Sequence, residues 1–197
     1  MKSLSTRVYE YVVENTGIVV EITPFFAAYE SFVLDMDTSV SEHARLFGGG
    51  ILYLGLGTAF TKGREWSENL FGVHERSEGV QMAHDIAYNT VFTAAVSPLT
   101  YIVAGETDIS TIIFGTLGGA VLGMLNGAPV GYAIDVAKDL MDVKECTRGS
   151  YPSALGNASS FQKKMLAVGL LLGSLATTEA IYKLHDHFSL EQTIVSQ

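Results

Sequence analysis

A few ionisable residues stand in or at the edge of long apolar stretches of this chain: Glu21 and Glu30 in one, Arg45 at the head of a glycine-rich second, Glu179 in the last. A charged side chain in hydrocarbon costs roughly 2.5–3.5 kcal/mol even on a lenient scale, so it turns inward and is paired or put to use. A carboxyl group held away from water can carry a proton, and a guanidinium can attract a carboxylate. Glu21 and Glu30 are nine residues apart, about half a turn around a helix with ~3.6 residues per turn. They share one face only if Pro24 rotates the segment between them. Arg45 opens the following stretch and can pair with Glu30 across a hairpin, or can simply anchor a helix at the interface. Asp85 and Asp135 lie near span ends, where capping or solvation also explains a carboxylate, and Asn15, Asn89 and Asn126 add neutral polar groups. The candidate solute or proton path is therefore Glu21, Pro24, Glu30, Arg45, Asp85, Asn89, Pro98, Tyr132 and Asp135.

The stretches that hold these residues set the class. The chain has 197 residues and only 17% charged residues, against about 25% in a soluble domain. Five segments have the ~17–25 residues that a bilayer core requires: Thr16 to Leu34, Arg45 to Thr61, Asp85 to Ala104, Ile109 to Ile134 and Met165 to Tyr182. None alternates as a barrel strand does. Residues 1–15 read as an amphipathic segment with Leu4, Val8, Tyr11 and Val12 on one face, either lying at the interface or extending the first span.

Ten of the twelve Lys and Arg residues fall before span one, between spans two and three, or between spans four and five. Arg45 and Lys183 are the exceptions, and the other two loops are acidic. This bias puts the N-terminus in the cytoplasm and the C-terminus outside. The Asn157-Ala158-Ser159 sequon then faces the cytoplasm and stays unmodified. The net charge of −9 offers no basic patch for nucleic acid. The single cysteine, Cys146, excludes an internal disulfide. Five scattered histidines form no catalytic or metal-binding pattern, so neither an enzyme nor a cofactor is expected.

Two segments repeat. Asn15-Thr16 with Pro24 recurs as Asn89-Thr90 with Pro98 at an offset of 74; Gly48-Gly49 and Gly57 recur as Gly118-Gly119 and Gly127 at an offset of 70. Repeat one (16–61) and repeat two (85–134) are thus copies of one helical hairpin with a shared orientation, related by an axis along the membrane normal. An extra transmembrane helix at 161–184 lies outside them. Paired proline kinks near midplane mark where such repeats place binding sites. Gly115, Gly119, Gly123, Gly127 and Gly131 form a smooth groove at a spacing of four. Membrane helices associate by close packing of such faces, so these glycines read as helix-packing positions, with spans two, four and five meeting through them. A groove that lets helices slide or admits a small solute is the alternative.

Several motifs carry a resemblance. Asn15-Thr16 with Glu30, Ser39, Arg45-Leu46, Gly63-Arg64-Glu65 and Leu70-Phe71 resemble the first half of the bacterial L-alanine exporter family. Asp85-Ile86-Ala87-Tyr88, Ser97-Pro98 with Tyr101, and Gly105 resemble its third segment, and Gly127 to Asp135 resembles its closing Gly-x-x-x-Gly-Tyr-x-x-Asp signature. The resemblance covers about residues 14 to 141. It departs from the family in the additional C-terminal helix and in a longer interval from Asp85 to Pro98. It implies a small cell-membrane protein that exports L-alanine or another small amino acid, driven by protons. The expectation is an all-α integral membrane protein of about five transmembrane helices, acting as a homo-oligomer. The alternatives are an assembly protein packed through glycine faces and a narrow channel.

Overall fold

A chain surrounded by lipid must satisfy its own backbone, and helix does so within one segment. The computed structural model describes residues 3–73, 76–146 and 150–195, and all regular structure among them is helical. The helices are α1 (Leu4–Phe32), α2 (Thr38–Ile51), a π-helical turn (Leu52–Leu56), α3 (Gly57–Phe71), α4 (Glu78–Ala104), α5 (Ile109–Leu140), the short α6 (Ser153–Gly156) and α7 (Ser160–Val195). Lys2 and Arg148 of the charge bias, and His74, lie outside the described residues.

Among the described residues, three helical stretches are long and apolar enough to cross a membrane: Met82–Ala104, Ile109–Leu140 and Ser160–Ser189. The other two expected spans take a different form. Helix α1 has 29 residues, about 43 Å at ~1.5 Å per residue, and is long enough, but its glutamates dilute its apolar character. It runs from Leu4 without a break, so the N-terminal segment extends the first span rather than forming a separate helix. The second expected span is interrupted. Gly55 at φ 126° breaks the helix between α2 and α3, a conformation open to glycine because it lacks a Cβ. The displaced Leu52 carbonyl accepts the Gly57 N–H in a π-type bond and the Tyr11 hydroxyl at 2.5 Å from α1. Such a turn is a common device at functional sites.

Side-chain caps define the ends. Asp37 accepts from the Ser39 N–H at 2.8 Å to start α2, and Asp108 accepts from the Thr111 N–H at 2.8 Å to start α5. Each satisfies an N–H that the first helical turn leaves without a partner. Gly105, at φ 102°, ends α4 in the left-handed region.

Helix α5 is the centre of the packing. Along its glycine face four of the five glycines receive a group from α4: Tyr101 lies over Gly115, Ser97 over Gly119, Thr93 over Gly123 and Ile86 over Gly127. From the other side Tyr29 of α1 covers Gly118 and donates its hydroxyl to the Phe114 carbonyl at 2.8 Å. These contacts make α5 antiparallel to both α1 and α4. Helix α7 runs alongside α1, with Ser174 donating to the Val20 carbonyl at 2.8 Å and His185 meeting Asp35 at 3.2 Å. The glycines do not all meet one another as expected. Gly48 and Gly49 touch Thr100 and Val19, while Gly169 and Gly173 of α7 face open space. A spacing of four creates a smooth stripe on any helix; which stripe is covered depends on tertiary packing.

This asymmetry is measurable. A Cβ at Gly127 would lie 2.7 Å from the Ile86 Cα, a backbone atom that cannot rotate away. Gly127→Ala should destabilise the fold by about 1–3 kcal/mol, as overpacking does. Gly173→Ala should be neutral or stabilising, by at most ~1 kcal/mol, from helix propensity. Unfolding curves in detergent separate the two.

Candidate functional site

The site is built on one buried ion pair. Glu30, near the end of α1, is 0% exposed. It forms an ion pair with Arg45 of α2 and accepts the Ser41 hydroxyl at 2.6 Å. Ser41 and Arg45 are four residues apart on α2, so one helix face presents both donors to the carboxylate. Ser41 also reaches the Tyr182 hydroxyl of α7 at 3.1 Å. The Arg45 guanidinium stands 4.6 Å from the Phe26 ring centre, a cation–π contact that strengthens where water is excluded. The Tyr101 hydroxyl of α4 lies beside the same carboxylate without completing a hydrogen bond. Four helices thus converge on Glu30.

Below this pair is a cavity of about 120 Å³ between α1, α2, the π-helical turn, α3, α4 and α5. A dry apolar cavity of about 150 Å³ can hold benzene, so this one suits a solute of similar or smaller size. Its walls are mostly apolar, with Ile18, Ile22, Phe26, Leu52, Phe92 and Val96 prominent. The polar groups are few and uneven. Ser97 and Thr100 spend their hydroxyl hydrogens on carbonyls one helical turn back, at 2.8 and 3.2 Å. Asn89 donates to the Gly123 carbonyl at 2.7 Å. In contrast, Arg45 Nε and Asn126 Nδ2 are buried, belong to residues lining the cavity, and have no partner. A buried polar group without a partner costs about 1–3 kcal/mol. A bound solute with acceptor atoms would relieve that cost.

A second cavity, about 330 Å³, lies toward the other end of the bundle. It is polar. Arg64 of α3 binds both oxygens of Asp85, at 2.9 and 2.5 Å, and Glu68 at 2.8 Å; Lys138 of α5 binds Glu14 at 2.6 Å. Asp135 also lines it. Phe60, Asn89 and Val130 line both cavities and so form the partition between them. The Phe60 ring is held by Tyr88 and Phe92, with centres 5.4 and 5.0 Å away. Glu68, His84 and Asp85 come close enough to hold a cation, but Arg64 already takes both carboxylates.

The sequence candidates therefore divide. Glu30 and Arg45 meet; Asn89 stands at the partition; Asp85 and Asp135 line the polar cavity. Glu21 and Pro24 are not part of this set. They line a third cavity on the far side of α1, against α5 and α7. Pro98 and Tyr132 line none of the three. Ser41, Phe60 and Thr93 carry positions in the site that sequence reasoning missed. Ser41 had a usable signal, its spacing of four from Arg45; Phe60 and Thr93 look like ordinary apolar-span residues until the helices are packed.

Removing one member of a buried ion pair strands the other charge and costs about 3–5 kcal/mol. Arg45→Gln should therefore lower unfolding stability in detergent by that much, and Glu30→Gln with Arg45→Gln together should recover most of the loss. The chain matches no protein-family model, no curated protein and no solved structure.

Proposed function

We propose that this protein is a small-solute transporter of the cell membrane, with L-alanine or a similarly small amino acid as its cargo. The observation that carries the reading is the central cavity. It is sized for a handful of heavy atoms, contains buried donors without partners, and is separated by a thin partition from a polar cavity open to the other end. Few polar groups in a mostly apolar pocket are the usual composition of a small-molecule site.

In this reading the chain crosses the bilayer five times: α1, the interrupted α2–α3 segment, α4, α5 and α7. The alternating helix directions support it. The hairpins also cross-pack, α1 on α5 and α2 on α4, although α4 lies far closer along α5 than α1 does along α2. The polar cavity with Arg64 and Lys138 is the cytoplasmic vestibule, consistent with the positive-inside bias. Cargo enters there, passes Phe60, Asn89 and Val130, and places its carboxylate at Arg45. Glu30 then loses its counter-charge. A buried carboxylate left alone neutralises by taking a proton, which links cargo movement to proton movement. A purely structural protein would have a dry, filled centre, so the cavity favours transport. A channel remains the competing class and differs in kinetics.

Purified protein in liposomes loaded with unlabelled L-alanine should accumulate external labelled L-alanine transiently, the counterflow that a carrier shows and a channel does not. Val96→Phe, which fills the cavity away from the α4–α5 glycine contacts, should cut that signal at least tenfold with little loss of folded protein. Equal counterflow in liposomes without protein would refute the proposal. The orientation has its own test. Cys146, between α5 and α7, should react with a membrane-impermeant maleimide in inverted membrane vesicles and stay unreactive in intact cells.

A further inference from the structure

The third cavity differs in kind from the solute site, and nothing in the transport reading uses it. It lies between α1, α5 and α7 and measures about 550 Å³. Its walls are almost wholly apolar, including Val13, Val20, Phe25, Ala133, Val168 and Leu171. Several of its flanking side chains are exposed on the bundle surface, Phe25 at 53% and Val168 at 50%, so it opens sideways toward lipid. The neutral polar groups along it are already engaged. Thr16 donates to the Val12 carbonyl at 2.8 Å, Ser174 to the Val20 carbonyl at 2.8 Å, and Tyr9 to the Met141 carbonyl at 3.0 Å.

Glu21 is the exception. Its Oε2 atom is buried and has no hydrogen-bond partner. Among the described residues no Lys, Arg or His lines the cavity. Of the basic residues near its lining in sequence, Lys138, Lys163 and Lys164 are committed to Glu14, Asp139 and Asp142 at 2.6, 2.9 and 2.8 Å, and Arg7 is exposed near the start of α1, roughly 21 Å along the helix from Glu21. Glu21 lies 11 residues before Phe32, roughly 17 Å from that helix end at ~1.5 Å per residue. A lipid headgroup amine sits at the membrane surface and does not reach this depth. A free organic cation with an apolar body does, because it dissolves in the bilayer itself.

We infer that the α1–α5–α7 cavity is a binding site for lipophilic organic monocations, which enter from the lipid and place their charge against the Glu21 carboxylate. The apolar walls take the body of the ligand. The Glu21 carboxyl selects the sign of the ligand: without a partner it holds a proton, and it releases that proton when a cation arrives to compensate the charge, whereas an anion gains nothing there. The volume exceeds that of the ~150 Å³ cavity that holds benzene by a factor of about four, so a cation bearing several rings fits.

The test is equilibrium dialysis of the full chain, in a neutral maltoside detergent, with radiolabelled tetraphenylphosphonium. The expected result is saturable binding of about one cation per chain, no saturable binding of labelled tetraphenylborate dialysed by itself, retention in Glu21→Asp and at least a tenfold loss of affinity in Glu21→Gln. Ala167→Trp, which fills the cavity and keeps the carboxylate, should also abolish binding. Thermal unfolding of each variant confirms that it is folded. Unsaturable uptake no greater than that of detergent alone, equal binding by Glu21→Gln, or equal saturable binding of the anion dialysed by itself would overturn the proposal. Loss of counterflow by L-alanine bears on the separate central cavity and leaves this result standing or falling by itself.

Discussion

An ion pair removed from water has to be held by geometry, and the Glu30–Arg45 pair is where four helices are brought to agree. The carboxylate comes from α1, the guanidinium and the Ser41 hydroxyl from α2, the Tyr101 ring from α4, and Tyr182 reaches in from α7 through Ser41. Coulomb attraction and desolvation nearly cancel for such a pair. Its structural value is therefore register: only one placement of α2 against α1 leaves neither charge stranded. That placement also sets the roof of the central cavity, because the same Arg45 presents an unpartnered Nε there.

The floor depends on a second constraint, the close approach of α4 to α5. Apolar surface gains little when it moves from lipid to protein, so these helices hold together by contact. Gly115, Gly119, Gly123 and Gly127 let Tyr101, Ser97, Thr93 and Ile86 sink into α5. At the π-helical turn Gly55 breaks the helix and the chain continues at a new angle. The cavity lies where tightly packed α4–α5 faces this interrupted α2–α3 segment. A rigid half opposed to a jointed half can open and close a small space with little loss of packing.

Much of this was legible in the residues, for identifiable reasons. Glu30 and Arg45 stood out because charge in an apolar stretch demands a partner, and the hairpin between them is short. Glu21 and Glu30 were separable by angle alone: nine residues place them on opposite sides of a helix, and Glu21 does line the α1–α5–α7 cavity while Glu30 is sealed against Ser41 and Arg45 of α2. Other features were beyond reach. The break at Gly55 sits among Gly48, Gly49, Gly50 and Gly57, and composition cannot say which glycine adopts a positive φ. The stripes on α5 and α7 look alike in sequence, yet one is covered and the other open, since coverage is decided by neighbours. Phe60 and Val130 gain their role only because the packed helices bring both to the boundary between the two cavities.

The central claim is that the cavity beneath Arg45 receives a small amino acid from the polar side of the bundle. Site-directed labelling reads this directly: with Cys146 replaced by serine, a cysteine is placed at Thr93 and its reaction with a small methanethiosulfonate is timed in inverted membrane vesicles. The account predicts labelling that slows several-fold when millimolar L-alanine is present. A cysteine there that never reacts, or that reacts at one rate whatever small amino acid is added, would contradict it.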